Sequence, residues 1–142
     1  MGFLAKQDQH ILTKGMIRDR SPPLPGGFLM ENTVVFFVTC PGPGEGERIA
    51  KHLLRERIAA CVNVIPRIRS FYYSGGKIQD EGETLLVCKT AKDRVDMFMD
   101  SIREVHTYQI PEIVGVNADV VEKRYGRWVI DETRPIPEDQ AI

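Results

Sequence analysis

The chain has few cysteines, no long apolar run and no excess of charge of either sign, and each shortage removes a class of protein. Cys40, Cys61 and Cys88 are the only thiols, an odd number with no C-x-x-C pair. That argues against a disulfide framework and for a reducing, cytoplasmic setting. Each of the three lies in or beside an apolar run and reads first as a small buried hydrophobe. Lysine and arginine together number 19 against 20 acidic residues, a formal net charge of −1. Such a balance gives no electrostatic case for nucleic acid or an anionic membrane as a partner. No apolar segment approaches the roughly 20 residues that span a bilayer. There is also no P-loop, G-x-G-x-x-G, H-E-x-x-H or G-x-S-x-G, so the nucleotide, zinc-protease and hydrolase chemistries that use those signatures have no foothold.

What is present suits one globular domain: 142 residues, 42% hydrophobic and 27% charged. Residues 1–29 differ from the rest. They end in Ser21-Pro22-Pro23-Leu24-Pro25-Gly26-Gly27, without usable periodicity. They have no apolar h-region, and Asp8 and Asp19 with a single serine do not suit a transit peptide. The expectation is a flexible extension or an appended segment over 1–29, a folded domain over 30–135 and a loose tail over 136–142, with Met30 as a native start.

Within the domain, Val34 to Val38 form a continuous apolar run, as in a central strand buried on both faces. Pro41-Gly42-Pro43-Gly44 ends it, and a helix to about Arg57 carries Ile49, Leu53, Leu54 and Ile58 on one side. His52, among charged residues, reads as solvated surface. Two extended segments follow, about 60–73 and 77–90, facing each other across Ser74-Gly75-Gly76. Pro66 cannot donate to a ladder and predicts a bulge or an edge. Beyond it, Ile68, Ser70 and Tyr72 point one way and Arg67, Arg69, Phe71 and Tyr73 the other. Asp80-Glu81-Gly82 reads as a break in the return strand. Thr90-Ala91-Lys92-Asp93 has the pattern of a capping box, ahead of a helix with Val95, Phe98, Met99, Ile102 and Val105 on its core face. Ile113, Val114 and Val116 predict a fourth strand. A last helix starting near Asp119-Val120-Val121-Glu122 carries Val121, Tyr125, Trp128 and Val129.

The order β-α-β-β-α-β plus a terminal helix predicts an α+β, ferredoxin-like sandwich, a four-stranded antiparallel sheet with two helices on one face. The opposite face would be bare. Each hairpin arm of about 14 residues would reach about 46 Å at about 3.3 Å per residue, against a diameter of roughly 35 Å for such a domain. An overlong hairpin with open edges, beside a bare sheet face, argues for assembly with further copies.

Chemistry-bearing residues are sparse. The turn Pro41-Gly42-Pro43-Gly44-Glu45-Gly46 sits where phosphate is often cradled, but its glutamates repel anions. His106-Thr107-Tyr108-Gln109-Ile110-Pro111-Glu112 groups an imidazole, a phenol and a carboxylate on one helix-to-strand loop. Taken singly, His106 is a helix-terminal cation and Glu112 a lysine's partner. Taken together with Lys77, Glu83 and Lys89 from the hairpin, His106, Tyr108 and Glu112 would line a polar cleft between subunits. Copper and zinc favour Cys and His, which makes Cys40, Cys61 and His106 the candidate metal ligands. None has local metal-ligand spacing, so such a site would have to be assembled by the fold.

These residues resemble the CutA family of divalent-cation tolerance proteins, over about Thr33 to Thr133. The matching pieces are Val38-Thr39-Cys40-Pro41, the run from Arg57 to Pro66, Ser70-Phe71-Tyr72, Gly76-Lys77-Ile78, Glu83, Lys89-Thr90, His106-x-Tyr108-x-x-Pro111-Glu112-Ile113 and Tyr125-x-x-Trp128. Two positions depart. Ser74 stands where the family commonly has tryptophan, which removes an aromatic contact at the hairpin tip. Thr107 stands where it commonly has proline, which would loosen the loop after His106.

The resemblance implies a compact homotrimer whose hairpins pair between neighbours, no established reaction and no obligatory cofactor. It also implies tolerance of copper and other divalent cations in bacteria, with animal members linked to acetylcholinesterase anchoring or processing. The expected function is that of a trimeric, non-enzymatic protein of metal tolerance that binds Cu(II) or another divalent cation weakly or moderately. The alternative is a signalling module resembling the PII trimers, holding a small anion in clefts between subunits through Lys77 and Lys89. An enzyme using His106 and Glu112 as acid and base ranks behind both.

Overall fold

A computed structural model of the chain describes residues 32–140. The expectations for residues 1–29 therefore lie outside the described residues. Strand β1 (Thr33–Cys40) leads into helix α1 (Pro43–Arg55), then β2 (Cys61–Ser74), β3 (Lys77–Ala91), helix α2 (Val95–Val105), β4 (Ile113–Asn117) and helix α3 (Lys123–Glu132). The sheet order is β2-β3-β1-β4, and every neighbouring pair is antiparallel. This is the ferredoxin-like α+β arrangement expected from the order of elements.

Strand alternation decides which residues meet the helices. Val34, Phe36, Val38 and Cys40 of β1, with Leu86 and Cys88 of β3, pack against Ile49 and Leu53 of α1 and Phe98 and Ile102 of α2 in one buried cluster. Phe36 stacks on Phe98 with ring centroids 4.1 Å apart. Gly115 of β4 lies opposite Phe36; a Cβ there would come within 2.6 Å of the Phe36 ring. The glycine is what lets that ring lie flat between strand and helix. His52 is not solvated surface: its Nε2 lies 3.0 Å from the Ser101 hydroxyl, joining α1 to α2.

The opposite face is only partly bare. Val62 belongs to the helix-side core, while Cys61, its neighbour, packs with Ala60 and Tyr125 against Trp128 and Val129. Helix α3 thus covers one end of the far face. Its start is fixed by Glu122, whose carboxylate accepts the Tyr125 N–H at 2.8 Å. Its end is held by Arg57, which donates to the Asp131 and Arg134 carbonyls, and by a two-pronged Arg134–Asp93 pair at 2.5 and 2.6 Å. Asp93 is committed to that pair, and Thr90 donates to the Ile58 carbonyl. No capping box forms: the start of α2 has no side-chain cap, and a 3-10 turn over Lys92–Arg94 precedes it.

The hairpin is as long as predicted. Gly75 and Gly76, with φ of 62° and 78°, form a two-residue turn that only residues tolerant of positive φ adopt readily. Asp80-Glu81-Gly82 does not break the return strand; all three pair with β2, at Phe71, Ser70 and Arg69. The irregularity lies on the other arm. Ile65 pairs with Leu85 and Ile68 with Glu83, so Pro66 and Arg67 together face Thr84 alone. Arg67 takes φ 59° to make this bulge. The extra residue exchanges the faces of β2: odd-numbered residues share the α3 side before the bulge, even-numbered ones after it. Ser70 and Tyr72 therefore stand on the same face as Glu81 and Glu83.

Candidate functional site

The loop after α2 closes over the end of the sheet through a locked histidine. His106 ends the helix, its backbone N–H reaching Ile102 at 2.9 Å. Its ring is buried. The Tyr108 N–H donates to Nδ1 at 2.9 Å, so that nitrogen carries a lone pair. Nε2 then carries the proton and donates it to the Thr39 carbonyl at 2.7 Å. Thr107 does not loosen the loop: its hydroxyl donates to Glu45 at 2.6 Å. Glu45 also takes two bonds from Arg48, and these hold its carboxyl below the usual range despite some burial.

This loop aims Tyr108 across the sheet. Its hydroxyl donates to Glu83 at 2.9 Å. Burial, then the hydrogen bond and charge of Glu83 and the charge of Glu81, push the phenol up to about 12. The Tyr72 phenol is raised as well, first by its hydrogen bond to Glu81. Between loop and hairpin lies a cleft of about 590 Å³ walled by Phe71, Tyr72, Glu81, Glu83, Tyr108 and Glu112. Thr39 and Ser70 add hydroxyls, and Ile110 stands at one side. Its lining carries three carboxylates and neither lysine nor arginine among the described residues.

Of the residues singled out from sequence, the fold brings Glu83, Tyr108 and Glu112 to this cleft, with His106 behind them as the brace. It leaves the two lysines out. Lys77 adjoins the tip turn, opposite Ser74, while Lys89 donates to Asn63 at the base. Twelve residues of strand separate them, about 40 Å at about 3.3 Å each. No anion pocket forms between them within a protomer. Glu81 escaped the sequence reading because Asp80-Glu81-Gly82 read as a break. Glu81 and Glu83, two apart in a strand, were the signal that one face carried both carboxylates.

The three residues marked for metal do not fit an ion within one protomer. Cys40 is fully buried and its thiol reaches the Gly42 and Thr84 carbonyls at 3.8 and 3.7 Å. Burial is the largest cause pushing that thiol up, away from the thiolate a metal needs. Cys61 is level with Lys89 while Cys40 is level with Thr84, five residues or roughly 17 Å along the sheet. The two also face opposite sides. Both His106 nitrogens are committed to backbone groups. Among the described residues no group of three or more Cys, His, Asp or Glu is gathered tightly enough to hold an ion. The same commitment of His106 removes it as an acid–base partner for Glu112.

The family model described as CutA1 divalent ion tolerance protein matches residues 34–132. The chain belongs to the CutA1 divalent ion tolerance family. It is 32% identical over 126 residues to Protein CutA of Mus musculus, a match covering 88% of this chain and 71% of that one. It is 34% identical over 101 residues to the divalent-cation tolerance protein CutA of Pyrococcus horikoshii, covering 71% of this chain and 98% of that one. The match to human Protein CutA spans 65% of that protein's length. Among solved structures, CutA1 from Oryza sativa superposes with a TM-score of 0.72 at 32% identity, over 75% of this chain and 98% of that one. The family model and the Pyrococcus horikoshii protein are both described by divalent ion or cation tolerance. Among the described residues no helix is long and apolar enough to cross a membrane.

Proposed function

We propose that the protein serves divalent metal tolerance as a non-enzymatic homotrimer, with the acidic cleft as its contact with the ion. The observation that carries this reading is the cleft itself, where Glu81, Glu83 and Glu112 share one wall system without a lining cation, in a chain whose family is described by divalent ion tolerance. Scattered carboxylates make a weak to moderate site. Cu(II) would bind such donors more strongly than the other first-row divalent ions, by the general order of their affinities. The metal contact moves from Cys40, Cys61 and His106 to the carboxylates because the former are buried, committed or far apart.

Support for the trimer comes from what one protomer leaves in water. Phe71, Tyr73 and Ile78 on the ribbon and Val114 and Val116 on β4 are exposed apolar side chains, and β2 and β4 are open sheet edges. The three free thiols favour a reducing compartment, the cytoplasm.

The test is a native mass spectrum before and after sub-stoichiometric Cu(II). A trimer that takes up copper in discrete steps, lost in the double variant Glu81→Gln/Glu83→Gln, supports both halves of the proposal. A trimer that ignores copper rejects the metal contact, and a monomer rejects the assembly.

A further inference from the structure

On the helix side of the sheet, at its β4 edge, the core is left open. Val34 and Phe36 of β1, Val95 and Met99 of α2 and Ile113 and Gly115 of β4 line a groove of about 380 Å³. Val95, Met99 and Ile113 pack against the core and are still only partly buried. A side chain at position 115 would run into the Phe36 ring, so β4 has nothing with which to roof the groove at that level.

The chain enters the fold at one end of this groove. The described residues begin at Asn32, and residues 1–31 precede it. Thr33 is paired with Ala91 and Val34 with Asn117, and Asn117 and Lys92 close that end of the groove. Asn32 lies in a 3-10 turn and not in the strand, so the chain bends just ahead of β1. Of the two sides open to it, the α3 side is filled, because Thr33 points there by strand alternation and is buried. The helix side is the unfilled one. Immediately before the bend stand Gly26-Gly27-Phe28-Leu29-Met30-Glu31, three large apolar side chains next to an acid. Three residues extend about 10 Å at about 3.3 Å each. The groove runs along β4 from Asn117 to Ile113, about 13 Å by the same rise. Lys92 at the entrance is placed to meet the charge of Glu31.

We propose that Phe28-Leu29-Met30 turns back at Glu31-Asn32 and lies in the groove between α2 and β4 of its own protomer, completing the core there. Removing three apolar side chains and the groove's own lining from water favours the contact at roughly 25 cal/mol per Å². A segment tethered a few residues away acts at about millimolar effective concentration, whereas a second copy or a separate peptide has to be recruited from dilute solution. The inference does not depend on the acidic cleft, which opens on the other face of the sheet.

The experiment compares peroxide oxidation of two methionines in the full chain. Met99 lines the groove. Met97, two residues earlier on α2, lies outside it, is 47% exposed and serves as the control. Hydrogen peroxide converts a thioether to its sulfoxide according to access, and peptide mass spectrometry reads the two rates separately. In Phe28→Ser/Leu29→Ser/Met30→Ser the Met99 rate should rise about tenfold, the change expected when a docking preference of about 1.4 kcal/mol is lost, and the Met97 rate should stay as it was. Phe28→Leu/Met30→Leu keeps the segment apolar and should leave Met99 as slow as in the parent. No described core residue is altered in either variant. A Met99 rate indifferent to the serine variant, or both methionines accelerating alike, would overturn the inference. So would a Met99 rate that ignores the serine variant and rises on dilution of the parent chain, in step with dissociation in native mass spectra. That result gives the groove to a second copy.

Discussion

At its base the β2–β3 pair lies beneath two helices; beyond the Pro66–Arg67 bulge the same two strands run out with most of their side chains in water. Leu86 and Cys88 are fully buried, whereas Tyr73 and Ile78 are 74% and 72% exposed. The backbone ladder resumes on both sides of the bulge, so hydrogen bonding does not distinguish the two regions. Burial does. Apolar area removed from water drives folding at roughly 25 cal/mol per Å², and the outer ribbon removes little of it within one protomer. The ribbon is held in place by its ladder, by its two-glycine turn and by surface pairs such as Arg69–Asp80 at 2.7 Å, and exposed pairs of that kind contribute little. The protomer's stability resides in the base, and the ribbon with its cleft is the part left available for partners and ligands.

Four measurements break or sharpen this contrast. Phe98→Ala removes the ring stacked on Phe36 and should cost about 3–5 kcal/mol, read as a lower urea midpoint. A loss below about 1 kcal/mol would mean the base is not the seat of stability. Gly115→Ala forces a Cβ against that same aromatic pair and should cost about 1–3 kcal/mol by the same assay. No loss would show that the Phe36 ring moves freely.

The third measurement is alkaline titration. The Tyr108 phenol is raised from 10.0 to about 12 in the fold, so the fold favours its neutral, protonated form. The stability this contributes is fully present below pH 10, the unfolded value, and is lost as pH rises towards 12. Ultraviolet titration should show the Tyr108 phenolate forming last, and Glu83→Gln should bring it earlier by replacing a charged acceptor with a neutral one. An unchanged titration in that variant would remove the Glu83 charge from the causes of the shift. The smallest effect on the protomer fold belongs to Ile78→Ser. It should leave the far-ultraviolet circular dichroism of the protomer unchanged and its intrinsic stability within about 0.5 kcal/mol. If the ribbon serves assembly, sedimentation should show the oligomer dissociating at higher protein concentration than the parent. A collapse of secondary structure instead would erase the distinction between base and ribbon.

The sequence by itself determined the elements, because their signals are local. The short apolar run Leu85 to Cys88, the helical spacing of Ile49, Leu53, Phe98 and Ile102, the two glycines at 75 and 76 and the donorless Pro66 each constrain the backbone within a few residues. The family motifs carried the rest of the fold. Tertiary structure decided the site, because which side chains meet depends on register and on competing partners far along the chain. Asp93 looked like a cap until Arg134, 41 residues away, claimed it. His106 looked like a ligand until Thr39 and Tyr108 took both its nitrogens. Cys40 and Cys61 stood together as candidate metal ligands until pairing placed them on opposite faces. Glu81 joined Glu83 at the cleft because the strand runs unbroken through Gly82, and Tyr72 joined them because a single extra residue at Arg67 turned the even positions of β2 to that side. A strand's faces exchange with every inserted residue, so the composition of this cleft was settled by one bulge that only the folded chain reveals in full.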